Sequence, residues 1–441
     1  MSDPVPGRID ESFLAGAGRP FPFLLESAGG GRFSFLGSDP FAVLVARGDR
    51  LSLWREGREE TSRGNPFDAL EALLRETAAA DPSDGPFPGG AVCALGYDLG
   101  RHLEKLPARA EDDLEFPDLV AAFYDRLVRV DRVEGTSRVV EIGGRPWGRA
   151  IDPRRYAEAF GHGAGEPRRG ATFTREGYLA AIARAKQYIA AGDIYQVNLS
   201  RRLHARVEDP PFEVYRRLRA TSPAPYAAFL QYGGRAVLSS SPEQFLELRG
   251  RTLRTRPIKG TRRRGADPAE DERLRRELLE SPKDDAELTM IVDLERNDLG
   301  RVCDPGTVTV PEPKVLESHP TVHHLVATVE GRLRAGLGPV DVLRATFPGG
   351  SITGAPKIRA MEIIDELEPT RRAFYTGAIG YIGLDGSMDL SVAIRIVMAD
   401  GPHYFFQAGG GIVADSDPAE EYEETRVKAA AMARALGVTP T

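Results

Sequence analysis

The stretch GAIGYIGLDGSMDLSVAIRIVMADGPHYFFQA, residues 377–408, holds three apolar runs: Gly377 to Ile382, Leu390 to Met398 and Tyr404 to Ala408. Their length and alternation predict a strand meander, and a helical pattern from Pro418 to Ala435 follows it. Working outward, the same mixture recurs. Helices are expected at Pro268 to Leu279, Asp284 to Arg296, Val340 to Thr346 and Lys357 to Leu367. Strands are expected at Gln196 to Leu203, Tyr226 to Tyr232, Arg235 to Ser240 and Phe245 to Thr255. Another helix is capped by Thr174, stapled by Phe173 and Tyr178, and ended by Gly192. Strands and helices in mixed order, without βαβ alternation, give an α+β class.

Residues 1–150 read mostly as strands, at Phe21 to Leu25, Arg32 to Leu36, Phe41 to Trp54 broken at Gly48-Asp49, Ala91 to Leu95 and Leu119 to Val130. One helix interrupts them, with Asn65 as its cap and Pro66 at its first position. Residues 151–170 are charged, contain Gly and Pro, and lack periodicity, which makes them a linker to a second unit at 171–441. A formal charge of −7 gives no reason to expect a nucleic-acid partner. Two cysteines, Cys93 and Cys303, are too few for a disulfide framework and have no zinc-type spacing. With no basic-then-apolar leader and no apolar window long enough to span a bilayer, the expectation is a cytoplasmic protein without membrane contact.

Chemistry is suggested first at Arg256-Pro-Ile-Lys-Gly-Thr261. Pro257 restricts the residue before it, and Gly260 lets the chain bend, so the Lys259 amine is held by shaped backbone. An amine removed from water loses its proton more easily and can act as a nucleophile. Asp284 and Glu287 share one helix face, and Glu421, Glu424 and Lys428 share another. Such faces are either solvated or the two halves of a Mg²⁺ site. The string from Phe347 to Lys357 enters a helix through small residues and suits an anion, without P-loop spacing. Gly409, Gly410 and Gly411 form either an ordinary loop or a close approach to a ligand. Of His323 and His324, adjacent on a strand, at most one faces a site.

Together these strings resemble the chorismate-utilising enzymes, whose branches include the anthranilate, aminodeoxychorismate, isochorismate and salicylate synthases. The resemblance runs from Thr174 to Ala435 through GDIYQVNLS at 192–200, SSPEQF at 240–245, PIKGTRRRG at 257–265, AELTMIVDLERNDLGRV at 286–302, VHHL at 322–325, FPGGSITGAPKIRAMEIIDELE at 347–368 and GGGIVADSDPAEEYEETRVKA at 409–429. FLLES at 23–27, GRFSFLGSDP at 31–40 and SPAPY at 222–226 resemble the tryptophan pocket of two of the branches.

The resemblance implies a large composite fold of stacked antiparallel sheets flanked by helices. It implies Mg²⁺ on Glu287 and Glu424, assisted by Asp284 and Glu421, although Asp284 stands where glutamate is common. It places chorismate on Ser351, Tyr381, Arg395, Gly409, Gly410, Gly411 and Lys428, with His324 beside the ring and Glu243 as the acid for the departing C4 hydroxyl. Leu25, Glu26, Ser27, Phe33, Pro225 and Tyr226 would line the tryptophan pocket. Gln196 stands where isochorismate and salicylate synthases carry a lysine base, and Lys259 stands where anthranilate synthases carry alanine. These two positions point to the aminodeoxychorismate branch, with Lys259 as covalent nucleophile, in the route to 4-aminobenzoate and folate. The rivals are the anthranilate reaction, amination for a specialised pathway, and a non-catalytic tryptophan-binding module. No Gly-x-Cys-x-Gly elbow occurs, so ammonia is expected from a separate glutamine amidotransferase subunit or from ammonium salts.

Overall fold

The computed structural model describes residues 19–28, 31–78, 85–142, 150–152, 155 and 172–439. The segment read as a linker, 151–170, lies mostly outside them. Among the described residues two large antiparallel sheets dominate, one of ten strands and one of twelve. The ten-stranded sheet runs from Gly354–Ala355 and Gln196–Arg206 through His403–Ile412, Ile396–Asp400, Arg235–Ser241 and Tyr226–Tyr232. It continues through Phe23–Glu26, Phe33–Gly37 and Arg126–Asp131 to Thr136–Glu141. The twelve-stranded sheet starts at Ile258–Arg263 and passes Val322–Arg332, which also pairs Thr309–Ser318. It then takes in Thr252–Arg256, Gln244–Arg249, Met388–Val392 and Ala378–Gly383, and ends in the early strands from Gly90–Leu95 to Arg58–Arg63. The chain before 151 and the chain after 171 are therefore hydrogen-bonded side by side in both sheets.

Burial explains the layering. Val43, Val92 and Ile379 of one sheet meet Val237, Ile396 and Phe405 of the other in a core between the sheets. On the outer side of the twelve-stranded sheet, Leu246, Leu325 and Ala378 pack against helix residues Phe67, Leu288, Leu343 and Met361. Outside the ten-stranded sheet, Leu238, Val397 and Tyr404 are covered by Phe212, Tyr215 and Met432 from helices Pro211–Thr221 and Pro418–Leu436. This is the α+β architecture of stacked antiparallel sheets flanked by helices. The caps read from sequence are present: Asn65 accepts from Phe67 N–H at 2.9 Å, and Thr174 from Gly177 N–H at 3.1 Å.

Four readings need correction. The run Leu390 to Met398 is two strands in different sheets, Met388–Val392 and Ile396–Asp400, so residues 377–408 cross the sandwich instead of making one meander. The crossing falls at Arg395, a non-glycine residue with φ of 51°. The run Leu119 to Val130 is likewise two strands in different sheets, Leu119–Tyr124 and Arg126–Asp131, parting at Asp125, whereas Phe245 to Thr255 is a hairpin that turns at Gly250. Lys259 lies not in a bend but in the edge strand Ile258–Arg263, whose register slips between Lys259 and Thr261. Gly260 supplies that slip with φ of 76°, and a Cβ there would lie 3.0 Å from Asp284 Cβ.

Candidate active site

The edge strand carrying Lys259 pairs with Val322–Arg332 and lies against helix Pro282–Gly300. Lys259 is half-buried along its length while its ammonium end is enclosed, and Nζ donates to the Ser351 carbonyl at 3.1 Å. Burial lowers its pKa, and Lys428 pushes the same way, while Glu287, Glu243 and Glu424 pull it back. Glu243 is 5% exposed. Burial raises its pKa against the Ser351 hydroxyl, Lys259, the Ile258 N–H and Lys428. One serine thus touches both groups, its carbonyl on the amine and its hydroxyl on the acid.

His324 points to the same region. Its Nδ1 lies 2.9 Å from Thr261 Oγ1, and its Nε2 is buried without a partner among the described residues. Burial, with Arg395 and His319 nearby, brings its pKa down to about 3, so the ring is neutral at physiological pH. His323 instead binds Ser318 and Asp271, at 2.8 and 2.9 Å. Arg395 is half-buried with its guanidinium enclosed, and burial alone lowers its pKa. No carboxylate faces it among the described residues, which leaves a cation awaiting an anionic ligand.

The glycine triplet is part of strand His403–Ile412, not a loop. A Cβ on Gly409 would lie 2.9 Å from Asn198 Oδ1, on Gly410 2.7 Å from Glu421 Oε2, and on Gly411 2.8 Å from Gln196 Nε2. Small residues are needed because three polar side chains lie flat on this backbone. Gln196 Nε2 and Oε1 and Asn198 Oδ1 are buried without partners among the described residues. Sequence reasoning treated Gln196 only as an absent lysine and missed it as an open amide. The one available signal was its alternation with Asn198 on a single strand face.

The carboxylates come from two helices. Glu287 has its pKa raised by burial, with Asp284 and Glu424 adding and Lys259 and Lys283 opposing. Glu421 accepts from Ser416 Oγ at 2.6 Å, and burial raises its pKa, with Glu424 adding. Burial also works to raise Glu424, but Lys428, Lys283 and Lys259 outweigh it and hold that carboxyl below its ordinary value. Asp284 accepts from Arg262 at 3.0 Å and already has its cation. Lys428 also donates to Gly409 O at 3.1 Å. No three His, Cys, Asp or Glu groups converge into a cage among the described residues. Mutually repelling glutamates with hard oxygen donors nonetheless fit an ion that keeps its waters and accepts a ligand oxygen.

Two expectations meet a different arrangement here. Of the segment expected to bind an anion, two N–H groups are already bonded internally: Gly350 N–H goes to Glu295 Oε1 at 3.2 Å, and Thr353 N–H to Gly350 O at 3.3 Å. Tyr381, expected at a ligand carboxylate, lines a second cavity of about 270 Å³ with Leu25, Glu26, Ser27, Phe33, Pro225 and Tyr226. Strand alternation accounts for this, because Tyr381 shares with Ile379 the face that looks between the sheets and stacks on Phe87 at 4.3 Å. A buried pair, Glu368 and Arg372, also escaped notice: Arg372 donates to Asn198 O at 2.7 Å and Ile352 O at 3.2 Å, tying two walls of the site together.

From residue 21 to 434 the sequence matches the profile of the chorismate-binding enzymes. Aminodeoxychorismate synthase component 1 of Klebsiella aerogenes is 43% identical over 439 residues, covering 95% of this chain and 94% of the relative. Anthranilate synthase component 1 of Streptomyces coelicolor is 42% identical, covering 94% of this chain and 83% of the relative. The crystal structure of anthranilate synthase component I from Streptococcus pneumoniae superposes with a TM-score of 0.78 at 32% identity, covering 91% of this chain and 92% of that one.

Proposed function

The chain belongs to the chorismate-binding enzyme family, and from that premise we propose that it replaces the C4 hydroxyl of chorismate with an amino group, giving 4-amino-4-deoxychorismate for 4-aminobenzoate and folate synthesis. The observation that carries this reading is the pairing of Lys259 and Glu243 across Ser351. Burial drives both toward their neutral forms, an amine able to attack and an acid able to give a proton. The amine forms a bond to C2, the ring double bonds shift, and the C4–O bond breaks as Glu243 protonates the leaving hydroxyl to water. Ammonia then bonds to C4, the double bonds shift back, and Lys259 departs as the amine. Hydroxyl is exchanged for amine and the enolpyruvyl group stays.

Arg395, with Gln196, Asn198 and the backbone of Gly409 to Gly411, is the receptor for a substrate carboxylate, and neutral His324 faces the ring. Glu287 and Glu424, supported by Glu421, would hold Mg²⁺, which would neutralise the second carboxylate and polarise it as a Lewis acid. Arg395→Ala is expected to raise the chorismate KM by on the order of thirtyfold or more, with less change in kcat. Arg395→Lys should recover little, because a point charge does not replace a planar fork. Steady-state kinetics on the two variants checks this.

Ammonia comes from a glutamine amidotransferase subunit in this reading. Burial pushes the Cys93 thiol up to about 12 and that of Cys303 up to about 11, so neither offers a thiolate for glutamine hydrolysis. Free buried thiols also suit a reducing cytoplasm. No helix among the described residues is long and apolar enough to cross a membrane.

The second cavity is assigned to tryptophan. Aromatic and acidic walls, with Phe33, Tyr226, Glu26 and Glu247, suit an indole and an ammonium group. Calorimetry should give a saturable heat with tryptophan that Phe33→Glu removes. No heat with the unaltered chain would cancel the assignment.

The deciding experiment is mass spectrometry of the product from chorismate, Mg²⁺ and ammonium. A product that keeps the enolpyruvyl group supports C4 amination. Anthranilate with released pyruvate, the reaction of the similar anthranilate synthases, would overturn it.

A further inference from the structure

Glu295 lies on the same helix as Glu287 but faces inward and is 2% exposed. Its helix neighbours Leu288, Ile291, Val292 and Leu299 are core residues, so a carboxyl there is costly unless it is bonded. The cation nearest it is hydrogen-bonded to other groups: Lys357 Nζ binds Asp298 Oδ2 at 2.5 Å and Thr346 O at 2.8 Å. Glu295 Oε1 accepts the Gly350 N–H, while Oε2 is buried without a partner among the described residues. Burial first, then Asp298 and Glu243, push this carboxyl up to about 8 against Lys357 and the Gly350 N–H, so it keeps its proton at neutral pH.

The contact leads to the reaction centre in one step. A Cβ on Gly350 would lie 2.5 Å from Leu294 Cδ2 and 3.2 Å from Glu295 Oε1, so the turn sits directly on the helix. The next residue is Ser351, which meets Lys259 through its carbonyl and Glu243 through its hydroxyl. We infer that Glu295 is a positioning residue: its buried carboxyl anchors the Gly350–Ser351 turn and so fixes Ser351 between Lys259 and Glu243. The inference rests on Lys259 and Glu243 being the reacting groups, not on which amino product forms.

The test is the rate of chorismate consumption by the full chain with Mg²⁺ and ammonium, for wild type, Glu295→Leu and Glu295→Gln. Leucine removes the acceptor and the turn loosens; kcat should fall by about tenfold or more with KM within about twofold, because small misplacements weaken chemistry before binding. Glutamine keeps a carbonyl acceptor for Gly350 and should recover most of that loss. A second readout separates positioning from mere support of the fold. Glu243 is faced by Lys259, Lys428 and Glu295, and Glu295 in turn by Asp298 and Lys357. As pH rises, charge on Glu295 raises Glu243, so in Glu295→Gln the alkaline limb of kcat should move to lower pH. An unmoved limb, or a Glu295→Leu kcat within about threefold of wild type, overturns the inference, and the pH arm decides it even where the leucine variant does not fold. Product mass is read separately, so anthranilate from wild type would cancel C4 amination without touching the Glu295 comparison.

Discussion

Lys259→Ala is expected to lose 4-amino-4-deoxychorismate formation by at least ~10³-fold, the scale on which removing a covalent nucleophile is felt. The amine is placed by backbone that has no other evident purpose. An edge strand slips its register at Gly260, which turns with φ of 76° against Asp284, and the lysine end enters a pocket with Ser351, Glu243 and Glu287. Burial lowers its pKa although three carboxylates favour the charged form, which brings the neutral, attacking amine closer to reach. With the methyl group of alanine the first bond to C2 cannot form, and space opens beside C2 into which ammonia can enter. The variant should therefore show no chorismate adduct on the 259 peptide after mixing without ammonium, and any residual product should be aminated at C2. Intact-protein and product mass spectrometry read both results. Formation of the C4 product at the wild-type rate would remove Lys259 from the mechanism. The thermal midpoint should hold, because truncation removes a desolvated charge and exposes no core.

What the sequence discloses here divides along a physical line. Helix ends were legible because a cap acts within a few residues: Asn65 and Thr174 each bond a backbone N–H of their own first turn. Lys259 and the two acidic faces could be nominated from their local strings, and Glu243 only through the family resemblance, and the fold sets Lys259 beside Glu243, Glu287 and Glu424. Strand partnership was not. The apolar pattern is continuous through Leu390 to Met398, and nothing local marks the crossing between sheets at Arg395, whose φ of 51° is imposed by what packs around it. Strand Arg58–Arg63 has no apolar face and is exposed throughout, so alternation had nothing to detect. Tyr381 was assigned to a ligand carboxylate from its string, and the face it takes depends on strand register. Glu295 and Gly350 are 55 residues apart, and only the fold brings them together.

Glu243→Gln is the second large effect, an expected fall in kcat of roughly 10²- to 10⁴-fold, the usual contribution of a general acid. Glutamine preserves the shape and can still accept from the Ser351 hydroxyl and the Ile258 N–H, but it has no proton for the departing oxygen. Chorismate KM should change by only a few fold, since Arg395 and the carboxylate faces are untouched. The pH profile gives the sharper check. Glu243 works in its protonated form, so its contribution is present below its pKa and lost as pH rises through it; burial raises that pKa and extends the acid form upward. Lys259 works neutral, so its contribution is lost as pH falls through a pKa that burial has lowered. The two limbs belong to the coupled pair, and in Glu243→Gln the alkaline limb should disappear while the acid limb stays. His324 cannot substitute, because with a pKa brought down to about 3 it carries no extra proton to give. A loss smaller than about tenfold would mean that the leaving hydroxyl takes its proton elsewhere. Another acid nearby whose pKa burial raises is Glu295, which acts on the same Ser351 turn, and the double variant Glu243→Gln with Glu295→Gln would then show the loss that the single one lacks.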